Sequence, residues 1–210
     1  MEIFRLDSRF MQFLTKAAQI MWLNLLTLLM SLPVVTAGAA FTAMNYVLLH
    51  IVRDTEGNIT KSFFASFREN FRHATGIWVG ILGAAGLLIS GFLSAKNLPA
   101  AQADGYRVIL LILGILGFAV TLYIFPLLSH FKNTGRETVK NSFVLMILHF
   151  GKTFEMLIIW VGIYYFAIKF FERIVPVLLV FGFTLPAVLC LLILNPLFKN
   201  LEGEKVEKNL

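Results

Sequence analysis

Residues 17–52 read AAQIMWLNLLTLLMSLPVVTAGAAFTAMNYVLLHIV, some 36 positions without an Asp, Glu, Lys or Arg. A helix crosses the roughly 30 Å hydrocarbon core of a bilayer in about 20 apolar residues. The stretch is therefore too long for one crossing and short for two. Near its middle lies Ser31-Leu32-Pro33-Val34-Val35-Thr36-Ala37-Gly38. Proline removes a backbone donor and glycine relaxes the chain, so a break or tight hairpin is expected there.

Outward from this stretch the pattern repeats. Apolar segments run over about 17–35, 36–52, 76–95, 108–129, 153–171 and 174–196. Polar stretches at 53–75, 96–107 and 130–152 separate them, and 197–210 reads as a short cytoplasmic tail. The whole chain is 58% hydrophobic and 14% charged, with 21 Phe and a mean hydropathy of +0.80. Soluble domains are only about half apolar. The expected fold is all-α: a polytopic transmembrane helical bundle of about six spans, with an interfacial amphipathic helix, forming one integral membrane domain over 1–210. Five spans result if 17–52 does not form a hairpin.

Charge counting decides between the two. With a hairpin and a cytoplasmic N-terminus, the outer pieces hold only Lys96, Arg107, Lys169 and Arg173, and 14 of the 18 basic residues fall inside. That is the arrangement the positive-inside rule prefers. With a single crossing, the basic clusters at the N-terminus and at 53–72 would lie on opposite faces. Six spans with both termini cytoplasmic follow, in a cell membrane. The net charge of +6 then reflects cationic loops facing anionic lipid, and no nucleic acid is invoked. Ala37-Gly38-Ala39 imitates a signal-peptide cleavage site, but Glu2 and Asp7 precede the apolar run and apolar sequence continues to Val52. Retention as an anchor is the expectation.

The most informative polar stretch is 61–73, KSFFASFRENFRH. At about 100° per residue Phe63, Phe64, Phe67 and Phe71 share one face, with Lys61, Arg68 and Arg72 on an adjoining stripe. Such a helix suits the membrane interface, with rings in the acyl boundary and cations toward headgroups. The alternative is a coupling helix that docks a cytoplasmic partner. Polar groups inside apolar spans are costly and mark candidate sites. Those present are Asn24, Asn45, His50, Glu155 and Asn195, with Lys169 near a span end. Asn24 and Asn45 are expected to face each other across the hairpin as packing amides, with Pro33, Thr36 and Gly38 at its turn. His50 and Glu155 are placed near cytoplasmic span ends, and Lys169 can snorkel outward.

Gly76, Gly80, Gly83, Gly86 and Gly91 mark one span, and Gly114 and Gly117 the next. Gly76 and Gly80 have G-x-x-x-G spacing, which is expected to serve close helix packing within the bundle. The single Cys190 sits in an apolar run and reads as a small hydrophobe. Leu48, Ser62 and Phe63 recur as Leu128, Ser142 and Phe143, and Trp78-Val79-Gly80-Ile81 as Trp160-Val161-Gly162-Ile163. The two offsets differ, which reads as chance similarity rather than a duplicated unit.

No phosphate loop, H-E-x-x-H, C-x-x-C or G-x-S-x-G motif occurs. The four histidines, His50, His73, His130 and His149, never approach metal-ligand spacing. No enzyme activity, cofactor or metal is expected.

Residues 22–26 (WLNLL) and 31–40 (SLPVVTAGAA), followed by the Phe63–Phe71 basic loop, resemble the YesL-like family of bacterial integral membrane proteins. No molecular function is established for that family, so no functional residues carry over. The resemblance implies genes lying near carbohydrate ABC importers and sugar-utilisation enzymes, and hence an accessory role in sugar uptake with importer subunits as partners. The alternative is a small autonomous transporter or channel with a path lined by the 33–38 break and the amides of Asn24 and Asn45. An intramembrane enzyme would need a converging set of reactive groups, and only scattered polar residues are available.

Overall fold

The computed structural model describes residues 9–131, 133–170, 177 and 180–208. Its elements are helices: α1 (Arg9–Ser31), α2 (Ala37–Val52), α3 (Ile59–Ser94), α4 (Ala100–His130), α5 (Gly135–Leu148), α6 (Phe150–Lys169) and α7 (Thr184–Lys208). Six of them, all but α5, are long and apolar enough to cross a membrane.

The break in 17–52 is built as a single turn of 3-10 helix, Val34–Thr36. Pro33 cannot continue α1, so the carbonyls at the end of that helix need other donors. The Thr36 hydroxyl supplies one, donating to the carbonyls of Met30 at 2.6 Å and Pro33 at 2.8 Å. The Trp78 indole of α3 donates to the Val34 carbonyl at 2.7 Å.

Helix α2 is the hub, touching α1, α3, α4 and α7. Its first turns are Ala37, Gly38, Ala39, Ala40 and Ala43, all buried. Small side chains let α3 come close, and Gly38 shows how close. A Cβ there would stand 2.4 Å from Trp78 Cβ and 2.8 Å from the Ala74 carbonyl oxygen. At its other end α2 closes with paired backbone bonds, Thr55 N–H to the His50 carbonyl (2.9 Å) and Asp54 N–H to Ile51 (3.3 Å). This is a Schellman motif, and Asp54 takes the left-handed position at φ 54°. The Asp54 carboxylate also pairs with Lys16 of α1.

Helix α3 departs most from expectation. Instead of a separate amphipathic helix followed by a span, Ile59–Ser94 is one unbroken helix of 36 residues, about 54 Å at 1.5 Å per residue. The Asn58 side chain caps it, accepting from Lys61 N–H at 3.0 Å. Nothing in 59–94 breaks a helix, because no proline interrupts it and its glycines are tolerated where neighbours hold the helix. The stretch 130–152 also differs: it contains α5, opened by a capping box in which Thr134 and Glu137 satisfy each other's backbone. The expected tail is helical too, since α7 runs on to Lys208. The segment 171–176 and residues Lys132 and Arg173, part of the expected topology, lie outside the described residues.

The core joins every one of these helices. It contains Leu23 of α1, Met44 and Leu48 of α2, Phe63 of α3, Tyr123 of α4, Met146 of α5, Met156 of α6, and Leu191, Leu194 and Phe198 of α7. Tyr123 is fully buried, and its hydroxyl is held at 2.8 Å by the Thr153 hydroxyl.

Candidate functional site

The first half of α3 carries the seven residues expected to form a membrane or partner surface. Phe63 is fully buried in the core, and Phe67 and Phe71 pack against core clusters. Phe63 therefore rests on protein rather than on acyl chains, which corrects the interfacial reading for that ring, while Phe67 and Phe71 are half-buried against Ala39 of α2 and Leu128 of α4. Phe64, 42% exposed, Lys61, Arg68 and Arg72 stay on the outside. Phe64, Phe67, Arg68, Phe71 and Arg72 line a groove of about 650 Å³ together with Ala65 and Met30 of α1. Neither Arg68 nor Arg72 forms an ion pair among the described residues.

The buried amides do not act as the pair expected. Asn24 accepts instead from the start of α7, taking the backbone N–H of Phe183 at 3.0 Å and of Thr184 at 3.2 Å. The first N–H groups of a helix have no partner in their own helix, and in an apolar layer an amide from another helix is the available acceptor. Asn45 donates to the Phe41 carbonyl one turn back at 2.8 Å. Asn195 accepts from the Arg53 Nε at 2.8 Å. Pro33, Thr36 and Gly38 stand at the hairpin turn.

The glycine expectation also needs correction. A Cβ at Gly76, Gly80, Gly83 or Gly86 would meet nothing within 4 Å. Among the described residues the G-x-x-x-G spacing is therefore no contact between helices, and the close approach is made by Gly38. Gly91 alone of that series touches a neighbouring helix, with the Tyr106 hydroxyl 3.0 Å from the ideal Cβ.

Two sites were not read from the sequence. One is a polar clamp at one end of the bundle. Arg53 Nη2 donates to Glu202 at 3.0 Å, Glu202 also pairs with His130, and the His130 ring stacks on Phe198. Residues separated by 149 positions have no signature in a single sequence. The other is an open-sided cavity of about 540 Å³ lined by residues of α2, α3, α4, α6 and α7, almost wholly by apolar groups. Trp78 and Trp160, the residues of the sequence echo, both line it. Elsewhere the echo fails: Phe63 is buried and its counterpart Phe143 is 51% exposed.

Among the described residues no group of His, Cys, Asp and Glu stands together as a metal site would require. Residues 20–92 match the family model described as "Protein of unknown function, DUF624". The match is consistent with the YesL-like resemblance. The DUF624 region runs from within α1 through most of α3. It therefore holds the hairpin turn, the Gly38 contact and the Arg68–Arg72 groove, while α4–α7 lie beyond it. No curated protein and no solved structure matches the chain.

Proposed function

We propose that this chain is a non-enzymatic integral membrane protein acting as an accessory or regulatory component of a carbohydrate ABC import system. Its docking surface is the groove of α3. The observation that supports this reading is the exposed pair Arg68 and Arg72, beside apolar Phe64 and Met30. Helix α2, apolar and central, lies alongside this part of α3. A bilayer that covered α2 would bring the two guanidinium groups near its hydrocarbon layer, where ionisable groups seek a counter-charge. An acidic partner segment supplies one, and arginine binds carboxylates in bidentate fashion. The sugar-import assignment itself draws on the YesL-like resemblance.

Lys16 meets Asp54, and Arg53 meets Glu202. The early part of α1 and the late part of α7 thus share one end of the bundle, which supports both termini lying on one side; that this side is the cytoplasmic one rests on the count of basic residues alone. The transporter alternative would have to use the apolar cavity, whose lining offers no charged residue and little for a sugar to bond.

The test is purification of the tagged chain from its host in mild detergent, with mass spectrometry of what remains bound. ABC permease or solute-binding subunits are expected in stoichiometric amount, and to be lost in the double variant Arg68→Glu, Arg72→Glu. Sugar uptake should fall in the same variant with membrane insertion unchanged. Recovery of the chain alone, with uptake intact in the variant, would overturn the proposal and make solute flux in liposomes the next measurement. Phe67 is a poor choice for this experiment, because truncating it also disturbs the core.

A further inference from the structure

Helix α5 does not qualify as a span: its 14 residues reach only about 21 Å at 1.5 Å each. Nor does it run along a single neighbour. Gly135 at its start lies against α3, where Ile77 Cδ1 would stand 3.6 Å from an added Cβ. Near its other end the Met146 carbonyl accepts from the Thr153 hydroxyl of α6 at 3.1 Å. Its most extensive contact is with α4, so α5 passes over α4 from α3 to α6. The side turned to the protein carries Thr138, Ser142, Leu145 and Met146, all buried. The Thr138 and Ser142 hydroxyls donate to carbonyls one turn back, of Thr134 at 3.1 Å and Thr138 at 2.8 Å. Their polarity is satisfied without water.

On the outer side the composition changes along the helix axis rather than around it. The first two turns expose Arg136, Lys140 and Asn141. Glu137, also exposed, is engaged by the Thr134 N–H in the capping box. Neither Arg136 nor Lys140 forms an ion pair among the described residues. The last two turns expose Phe143, Ile147 and Leu148, each by more than half, and Phe150 follows just beyond. An apolar outer side over an inner side that is part hydroxyl is the reverse of a surface helix in water. The patch continues into the outward surface of α6, where Phe154 and Ile158 are also more than half exposed. Helix α6 is a candidate span, so the face it shares with α5 is one that lipid covers.

We propose that α5 is the interfacial helix of this protein and that its partner is the phospholipid surface. Arg136 and Lys140 pair with headgroup phosphates, and Phe143, Ile147, Leu148 and Phe150 rest among the upper acyl chains. Guanidinium and ammonium groups bind phosphate through charge-assisted hydrogen bonds. Interfacial helices bury their apolar residues about 5–10 Å into the boundary between headgroups and acyl chains. Because the charged and apolar stretches follow one another on the same side, the helix slants, with its first turn outermost. A protein partner would have to match both stretches in one footprint, next to the face that α6 gives to lipid. The interfacial role expected of residues 61–73 thus passes to α5. The inference is independent of the importer proposal, since it shares no residue with the α3 groove.

The test is depth measurement with nitroxide spin labels on the full chain, reconstituted in vesicles of phosphatidylcholine and phosphatidylglycerol. Labels go singly on Lys140→Cys, Phe143→Cys, Ile147→Cys and Leu148→Cys in a Cys190→Ala background. Labels at 147 and 148 should collide with oxygen in preference to an aqueous nickel chelate, at a depth of about 5–10 Å below the phosphates. The label at 140 should show the opposite preference. Arg136→Glu with Lys140→Glu should lift the label at 143 toward water, because carboxylates repel the phosphates. Water-like collision at both 147 and 148, or protection from both reagents as inside a protein contact, would overturn the inference. So would a label at 140 as deep as that at 147, or an unmoved label at 143 in the charge-reversed chain. If the Cys190→Ala chain does not fold, the chain with Cys190 in place, buried as it is, takes over as background and as labelling blank.

Discussion

From Ile59 to Thr75, α3 carries Lys61, Arg68, Glu69, Arg72 and His73, and yet this is where Phe63, Ser66 and Ala74 are buried. From Gly76 to Ser94 it carries no charge, and no side chain there is fully buried. In a soluble protein the two halves would be read the other way round. Here the charged half leans on α1 and α2, while Leu87, Ile89 and Leu93 of the apolar half are more than half exposed. Helix α2 makes the same contrast, with 67% of its apolar stretch inside the protein against 0% for α3. Lipid tails are as apolar as leucine, so helices in a membrane pack through small residues and polar bonds rather than by hiding hydrophobic surface.

If that is the rule, the small-residue contact between α2 and α3, at the junction of the two halves, should be the most sensitive point of the molecule. Gly38→Leu places atoms where Trp78 and the Ala74 backbone already stand. Overpacking of this kind destabilises by about 1–3 kcal/mol or more, and size-exclusion of the detergent-extracted protein should show aggregation. A monodisperse, thermally unchanged Gly38→Leu protein would break the comparison at its root. Next in size is Arg53→Ala, which strips Asn195 and Glu202 of a charged donor. Its expected effect is a loss of about 1.5–3 kcal/mol, read as a drop in unfolding temperature that Glu202→Gln should only partly reproduce.

Asn24→Ala tests the polar bonds alone, since it removes the acceptor at the start of α7. Loss of such a cap should destabilise by about 0.5–2 kcal/mol, and hydrogen exchange should rise first at residues 183–187. The apolar half supplies the counter-test. Gly83→Ala meets nothing and gains up to about 1 kcal/mol of helix propensity, so its unfolding temperature should hold or rise. A marked fall would reveal a contact with a second copy through the glycine face.

The smallest effect lies outside both halves, at the junction of α5 and α6. Burial, reinforced by Lys152, pushes the His149 imidazole below its ordinary 6.5. The folded state thus binds fewer protons, so this contribution is present above that ordinary value and lost as pH falls through the depressed one. His149→Gln should flatten that limb of the stability profile by a few tenths of a kcal/mol at most.

How far the sequence could be read follows from the same physics. Apolar length and the Pro33 and Gly38 punctuation placed the turn between α1 and α2 and all six candidate spans, because a bilayer imposes its thickness on any chain that crosses it. The Phe row of 63–71 was legible as one face, since a helix of any origin has the same period. What that face touches was not legible. The period marks an apolar side but does not tell lipid from protein, and Phe63 found the protein core instead of acyl chains. Gly38 and Gly80 look alike in the chain, and only the neighbour at 2.4 Å separates them. Asn24 with Thr184 and Arg53 with Glu202 join positions 160 and 149 residues apart, which local spacing never encodes. The sequence by itself determined that this is a helical membrane chain and where it bends. The tertiary structure decided which polar groups are satisfied and by whom, because satisfaction depends on who the neighbours are.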